Sequence, residues 1–321
     1  MKGLTDVPGI LVGHVTDAQA LTGCTVILCG NEAVGGVDVR GSANGSCEID
    51  VLSPSHVAAN VHAIVLAGGS AFGLEAACGV RRALEKRRVG FAFGGAHVPI
   101  VSGAILFDLG IGKAGVRPDR EMGEKAAAAA NDAAVVEGNV GAGTGATVGK
   151  IFGMTQAMKG GIGSASLTLG SGVMVAALVA VNALGDVLDP ETGRIVAGAR
   201  KSPESREFVD SAAAMRHGVG PAVVRGNGGR GNTTLAVVAT NARFDKVQTN
   251  KVAALASLGV ARTISPVNTM SDGDMTFAIS LGKEQASVDA VGSAAAEALA
   301  MAVVRAVRAA KSAGGVPGLA G

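Results

Sequence analysis

The sequence predicts a mixed α/β fold, and three observations carry that prediction. Strand-length runs of β-branched and aliphatic residues recur along the chain, helix-periodic segments lie between some of them, and 49 glycines accompany almost no aromatic residues, with Trp and Tyr absent. A core of Ala, Val, Ile and Leu with so much glycine fills space only where backbones approach closely. Tightly stacked layers are therefore expected rather than an open ligand barrel. The 321 residues, 48% of them hydrophobic, suffice for a folded protein of one large domain or two ordinary ones.

Strands are expected at Thr25 to Leu28, Val61 to Ala67, Ala104 to Leu109, Val173 to Val181, Leu235 to Thr240 and Met275 to Ser280. A helix over Phe72 to Arg88 follows the second of these through Gly68-Gly69-Ser70, a turn able to present backbone N–H groups. Asp119 is placed to cap an alanine-rich helix reaching about Ala134. Further helices are expected near Ser202 to Arg216, Asp245 to Leu258 and Val288 to Lys311. "LDPETGRIV" at 188–196 reads as strand, turn, strand, with Pro190 and Gly193 supplying the turn. The segment Gly218 to Gly231 has no periodicity and reads as a flexible linker.

Several function classes fall away. The net charge of +2 comes from scattered Lys and Arg without a basic stripe, so no nucleic-acid partner is expected. Met1 to Gly13 does not make a signal peptide, and the apolar run Val173 to Leu184 is too short to span a bilayer. No membrane partner is expected, and the location expected is cytoplasmic. Cys24, Cys29, Cys47 and Cys78 lack metal or redox spacing and read as buried free thiols. His14, His56, His62, His97 and His217 are too dispersed for a metal site. "TGATVGKI" at 144–151 lacks the first Gly and the final Ser or Thr of a P-loop, and "GGSAFG" at 68–73 has the wrong spacing for a nucleophile elbow.

What remains is the seam "GGRGNTTLAVVATNARF" at 228–244, where a glycine-rich loop meets a buried strand at Asn232-Thr233-Thr234. Threonine suits a strand start on β-propensity alone. A second reading is chemical. A Thr hydroxyl is a weak nucleophile without a base beside it, and one solution uses the threonine's own α-amine once the preceding peptide bond is cut. That amine has an unperturbed pKa of about 7.7 to 8.0, so much of it is neutral near working pH. The chemistry needs a Thr at the start of a rigid strand after a flexible loop. Thr233 meets that need, with Thr234 as the rival nucleophile.

"GNTTLAVVATNARF" at 231–244, "NTMSDGDMTFAI" at 268–279, "LAGGSAFGLEAACGV" at 66–80 and "GAGTGATVGK" at 141–150 resemble the P1 (S58) peptidase family across nearly the whole chain. That family holds the L-aminopeptidase/D-esterases, the β-peptidyl aminopeptidases and the nylon-oligomer (6-aminohexanoate-oligomer) hydrolases. The resemblance implies a four-layer α/β/β/α sandwich of the N-terminal-nucleophile kind shared with ornithine acetyltransferases. It also implies self-cleavage between Asn232 and Thr233, giving chains of 1–232 and 233–321 from a single catalytic domain.

The nylon-oligomer hydrolases look most similar in motif. Their pattern places a lysine at Lys150, an asparagine at Asn182 and two aspartates at Asp272 and Asp274, each of which this sequence supplies. The β-peptidyl branch commonly has Ser as nucleophile and a Tyr in the glycine-rich segment, and this chain has no Tyr. The roles implied are Thr233 as nucleophile, Asn182 as oxyanion donor, and Asp272 with Asp274 holding Lys150 and the new amine. Substrates expected are aminoacyl amides, short peptides or linear ω-amino acid oligomers. The chemistry requires no metal or organic cofactor, and the resemblance implies a homo-oligomer, often a tetramer. An acyltransferase of the ornithine acetyltransferase type and a non-catalytic binding protein are the alternatives from other classes.

Overall fold

The β-branched runs assemble into two five-stranded sheets. The computed structural model describes residues 2–170, 172–219 and 231–321. The first sheet has the order Leu11–Asp17, Thr22–Leu28, Ala63–Ala67, Val101–Ile105, Ser46–Cys47; the second has Ile162–Thr168, Met174–Asn182, Thr233–Ala242, Met275–Glu284, Val34–Val39. Each sheet holds one parallel pair, Ala63–Ala67 with Val101–Ile105 and Thr233–Ala242 with Met275–Glu284, inside otherwise antiparallel pairing.

Strand alternation sorts the core into three slabs. Leu235, Val237 and Ala239 face Ile27, Ile64 and Leu66 across the gap between the sheets. Their neighbours Ala236 and Val238 face outward against Val252, Val260, Leu299 and Val303 of the helices Lys246–Thr263 and Val288–Arg308. On the other side Val26 and Val65 pack under Ala76, Val80 and Ala126 of the helices Glu75–Lys86 and Arg120–Ala129. The result is helix, sheet, sheet, helix, as the resemblance implied.

Glycine accounts for the close stacking. A Cβ on Gly163 would stand 2.0 Å from the Ala302 carbonyl oxygen, and one on Gly13 would stand 2.0 Å from that of Ala126, so helix backbones lie directly on the sheets at these points. Both glycines belong to strands that periodicity did not reveal, Ile162–Thr168 and Leu11–Asp17. The helix Val288–Arg308 is long and apolar enough to cross a bilayer, yet its apolar face is spent against the second sheet.

Other expectations shift in detail. The strand expected at Ala104 to Leu109 is Val101–Ile105; the chain then turns so that the Phe107 carbonyl and the Asp108 carboxylate take up side-chain partners. Of the helix expected near Ser202 to Arg216, only Ser211–Arg216 forms, capped by Asp210. The alanine-rich helix is capped by Asp119 but ends at Ala129, because Asn131 pairs with Val12. The helix beginning after Asp245 has a capping box with Gln248 and runs on to Thr263. Cys24 and Cys29 are buried with their thiols pushed up to about 12 by burial, but Cys47 is half-buried and Cys78 exposed. Of the expected linker Gly218 to Gly231, residues 220–230 lie outside the described residues.

Candidate active site

Thr233 and Asn182 form the last rung of the ladder between their strands, Cα opposite Cα. Parity places Thr233 with Leu235 and Val237, and Asn182 with Ala180 and Leu178, so both side chains face the gap between the sheets. Thr234 takes the opposite face; its hydroxyl is buried without a partner among the described residues, and its N–H donates to Asp274 Oδ1 at 2.6 Å.

The Asn232 carbonyl is the focus of the site. Its oxygen accepts from the Gly273 N–H at 2.8 Å and from the Thr233 hydroxyl at 2.5 Å. A side-chain hydroxyl and a backbone donor thus converge on one peptide carbonyl, that of the Asn232–Thr233 bond. Residues 268–274 hold the donor in place: Asp272 Oδ2 accepts from the Thr269 N–H at 3.0 Å and its hydroxyl at 2.5 Å, and Asp274 Oδ2 accepts from the Asn268 N–H at 3.0 Å. Asp272 Oδ1 accepts from the Leu184 N–H at 3.3 Å, tying the loop to the end of the Asn182 strand.

Lys150 arrives from the glycine-rich segment, where its own N–H donates to the Leu184 carbonyl. Its Nζ donates to Asn182 Oδ1 at 2.8 Å, the Asn182 carbonyl at 2.9 Å and the Gly231 carbonyl at 3.2 Å. Burial draws its pKa down to about 7, opposed by the Asp272 and Asp274 carboxylates. Three acceptors for its three protons receive the ammonium form, which is the form present at and below neutrality. Asp274 moves the other way: burial, and then the charge of Asp272, push its carboxyl up to about 7.

All five residues singled out for chemistry, Thr233, Lys150, Asn182, Asp272 and Asp274, and Asn232, expected as the cleavage partner, come together here. The expected pairing of charges does not. No ion pair joins Lys150 to either aspartate among the described residues. Backbone N–H groups and Thr269 occupy the carboxylates, and carbonyls with the Asn182 amide occupy the lysine. Asn182 Nδ2 likewise donates to the Phe107 carbonyl at 3.0 Å and the Gly231 carbonyl at 3.1 Å rather than to that of Asn232. The donor on the Asn232 oxygen is Gly273, a residue that sequence reasoning passed over although it stands inside the quoted Asp-Gly-Asp; backbone donors leave no side-chain signature.

A cavity of about 100 Å³ opens beside this carbonyl, lined by Phe107, Asp108, Ile111, Met154, Lys150 and Asn232 among others. A larger groove, about 860 Å³, lies near Phe244 and Leu281 at the opposite ends of the same strands. That groove is roughly 30 Å of strand away from Thr233. The smaller cavity is walled by Lys150 and by Asn232, whose carbonyl the Thr233 hydroxyl meets, so it is the candidate substrate site.

Residues 2–320 match peptidase family S58. The chain belongs to that family. An uncharacterized aminopeptidase of Mycobacterium leprae is 40% identical across 99% of this chain and 93% of its own length. A 6-aminohexanoate-oligomer endohydrolase of Kocuria sp. is 32% identical across 94% of this chain and 85% of its own length. Among solved structures, a Burkholderia sp. beta-aminopeptidase superposes with a TM-score of 0.69 at 24% identity, covering 99% of this chain and 90% of that one. The L-aminopeptidase D-Ala-esterase/amidase of Ochrobactrum anthropi, described as a variant of the Ntn hydrolase fold, gives 0.68 at 19%, covering 98% and 88%. The fold is therefore of the Ntn hydrolase kind, and the S58 chain is a hydrolase of peptide or amide bonds acting on small amides or peptides.

Proposed function

We propose that this S58 hydrolase cleaves its own chain between Asn232 and Thr233, and that the freed Thr233 then hydrolyses small amides. The observation that carries the proposal is the Asn232 carbonyl, held between the Thr233 hydroxyl and the Gly273 N–H. Thr233 Oγ attacks the Asn232 carbonyl carbon, the developing oxyanion draws on the Gly273 N–H, and the C–N bond breaks as Thr233 N takes the proton. The resulting ester is hydrolysed by water, leaving the Asn232 carboxylate and the Thr233 α-amine.

In the processed enzyme that amine serves as the base for its own hydroxyl. The Lys150 ammonium nearby disfavours a second positive charge and keeps the amine neutral. Once the Gly231–Asn232 end is released, Asn182 Nδ2 loses its Gly231 acceptor and becomes free to join Gly273 on the substrate oxyanion. Asp272 and Asp274 fix the Gly273 loop, and Asp274 accepts from the Thr234 N–H, one residue along from the new amine.

The small cavity, apolar at Phe107, Ile111 and Met154 with Asp108 and Lys150 also in its wall, suits a short acyl chain. Aminoacyl amides, short peptides and linear ω-amino acid oligomers fit that description, and the relatives named aminopeptidase and 6-aminohexanoate-oligomer endohydrolase support it. We also propose a homo-oligomer, a tetramer of processed units. Its support is a projecting hairpin, Phe91–Phe93 with Ala96–Val98, on which Phe91 and Phe93 stack at 6.4 Å while exposed.

Intact mass under denaturing conditions tests the central claim. The wild type should separate into fragments ending at Asn232 and beginning at Thr233, while Thr233→Ala stays whole. A wild-type chain that remains uncut after prolonged incubation removes the self-processing mechanism.

A further inference from the structure

The mechanism above makes no use of Lys159, one of the largest fully buried side chains among the described residues, with an exposure of 0%. Met158–Lys159 is a two-residue strand that pairs antiparallel with Thr147–Val148, Lys159 opposite Thr147. Its Nζ donates to the Thr144 carbonyl at 2.8 Å and the Ala146 carbonyl at 2.7 Å. Its backbone N–H donates to the Pro317 carbonyl at 2.8 Å, tying the ribbon to the end of the chain.

The Ala146 carbonyl belongs to the same peptide plane as the Thr147 N–H. That N–H donates to Asn182 Oδ1 at 3.0 Å. One rigid peptide therefore has the Lys159 ammonium on its oxygen and the Asn182 side chain on its nitrogen. Asn182 Oδ1 receives the Lys150 Nζ as well, and with both donors on its oxygen the amide has one orientation, Nδ2 turned toward the Phe107 and Gly231 carbonyls.

We propose that Lys159 is a positioning residue that sets the orientation of Asn182 through the Ala146–Thr147 peptide. The proposal rests on reading Asn182 as an oxyanion donor of the processed enzyme. Hydrogen bonds in series polarise one another, so a cation on the Ala146 oxygen makes the Thr147 N–H a stronger donor and holds the plane still. The Gly160 N–H also bonds the Ala146 carbonyl at 2.9 Å, but it is a neutral backbone donor. Burying an ammonium is costly, and a methionine of similar length would fill the same space without that cost. Charged groups facing Lys159 are Asp108, whose carboxylate is held by the Thr22 hydroxyl at 2.7 Å and the Gly69 N–H at 2.7 Å, and Lys150. Burial draws the Lys159 pKa down to about 7, with Asp108 opposing.

The test is a double-mutant cycle in the processed enzyme with Lys159→Met and Asn182→Ala, reading kcat and KM on a short amide. Lys159→Met should lower kcat about tenfold with KM within about twofold, the cost of a displacement well under 1 Å. Lys159→Gln, which keeps an N–H donor, should recover most of that loss and serves if the methionine variant does not fold. In the Asn182→Ala background, Lys159→Met should change kcat by less than about twofold. Losses that multiply, or a Lys159→Met enzyme with wild-type kcat and only an altered melting temperature, overturn the inference. Should Asn182→Ala itself leave kcat intact, it is the reading of Asn182 that has failed.

Discussion

Replacing Gly273 by alanine perturbs the reaction without removing any functional group. Gly273 is outside the left-handed region, so its backbone accepts alanine; the obstacle is contact. The added Cβ would stand 2.8 Å from Thr233 Oγ, 2.8 Å from the Ala43 carbonyl oxygen and 3.0 Å from Asn44 Cα. Ordinary contact begins near 3.4 Å, so the loop must retreat by about 0.6 Å. The same retreat stretches the 2.8 Å bond from the Gly273 N–H to the Asn232 oxygen to about 3.4 Å, past the roughly 2.7–3.2 Å of a good hydrogen bond, so most of the donor's effect is lost. Losing one oxyanion donor costs about 10² to 10³ in rate, or ~2.7–4 kcal/mol of barrier. Self-cleavage of Gly273→Ala precursor, made by cell-free synthesis and followed by denaturing mass spectrometry at timed intervals, should therefore slow at least about 100-fold. Processing within threefold of the wild type would refute the assignment of Gly273 as the donor.

Thr233→Ser keeps the hydroxyl on the same strand position, so its precursor should still process, within about tenfold of the wild-type rate, by the same mass assay. Gly163→Ala drives a Cβ into the Ala302 carbonyl of the helix Val288–Arg308 and should cost about 1–3 kcal/mol, measured as a lower urea midpoint. Stability should rise from pH 7 to pH 9: Lys150 and Lys159 are drawn down to about 7 from 10.5, so in this window the unfolded chain binds protons that the folded chain has released. Urea midpoints of the uncut Thr233→Ala protein check the sign, and a midpoint that falls from pH 7 to pH 9 contradicts it. Asp274, pushed up to about 7 from 3.8, acts in reverse below neutrality, removing stability as pH climbs through that interval. Phe93→Asp on the exposed hairpin should reduce the mass found by sedimentation if that hairpin joins copies; an unchanged mass excludes it from the interface.

The long strands and helices were legible where side-chain pattern and packing agree. Met174–Asn182, Thr233–Ala242 and the first six residues of Met275–Glu284 are buried and mostly apolar, because both of their faces are covered there. Leu11–Asp17, Val34–Val39 and Ile162–Thr168 were not legible, since each carries glycines that lower strand propensity in isolation. Helices pressed against the sheets explain Gly13, Gly36 and Gly163, and the Leu52 and Val61 side chains explain Gly35. The helix expected near Ser202 fails for the opposite reason: Pro203 and alternating charges leave it without an apolar face, and tertiary pairing of Arg200 with Phe208 takes the backbone instead.

By itself the sequence determined the layers and the chemical identities at the site: a threonine at a strand start, a lysine closing a glycine-rich segment, an asparagine interrupting an apolar strand, and an Asp-Gly-Asp loop. These are side-chain identities, and linear order preserves them. Which groups touch was decided by the tertiary structure alone. Lys150 bonds carbonyls and an amide instead of the aspartates, the aspartates grip backbone N–H groups, and the donor on the Asn232 carbonyl is the main chain of Gly273. Backbone donors and carbonyls are the same in every residue, so their placement depends on how strands register and loops close, and linear order records neither.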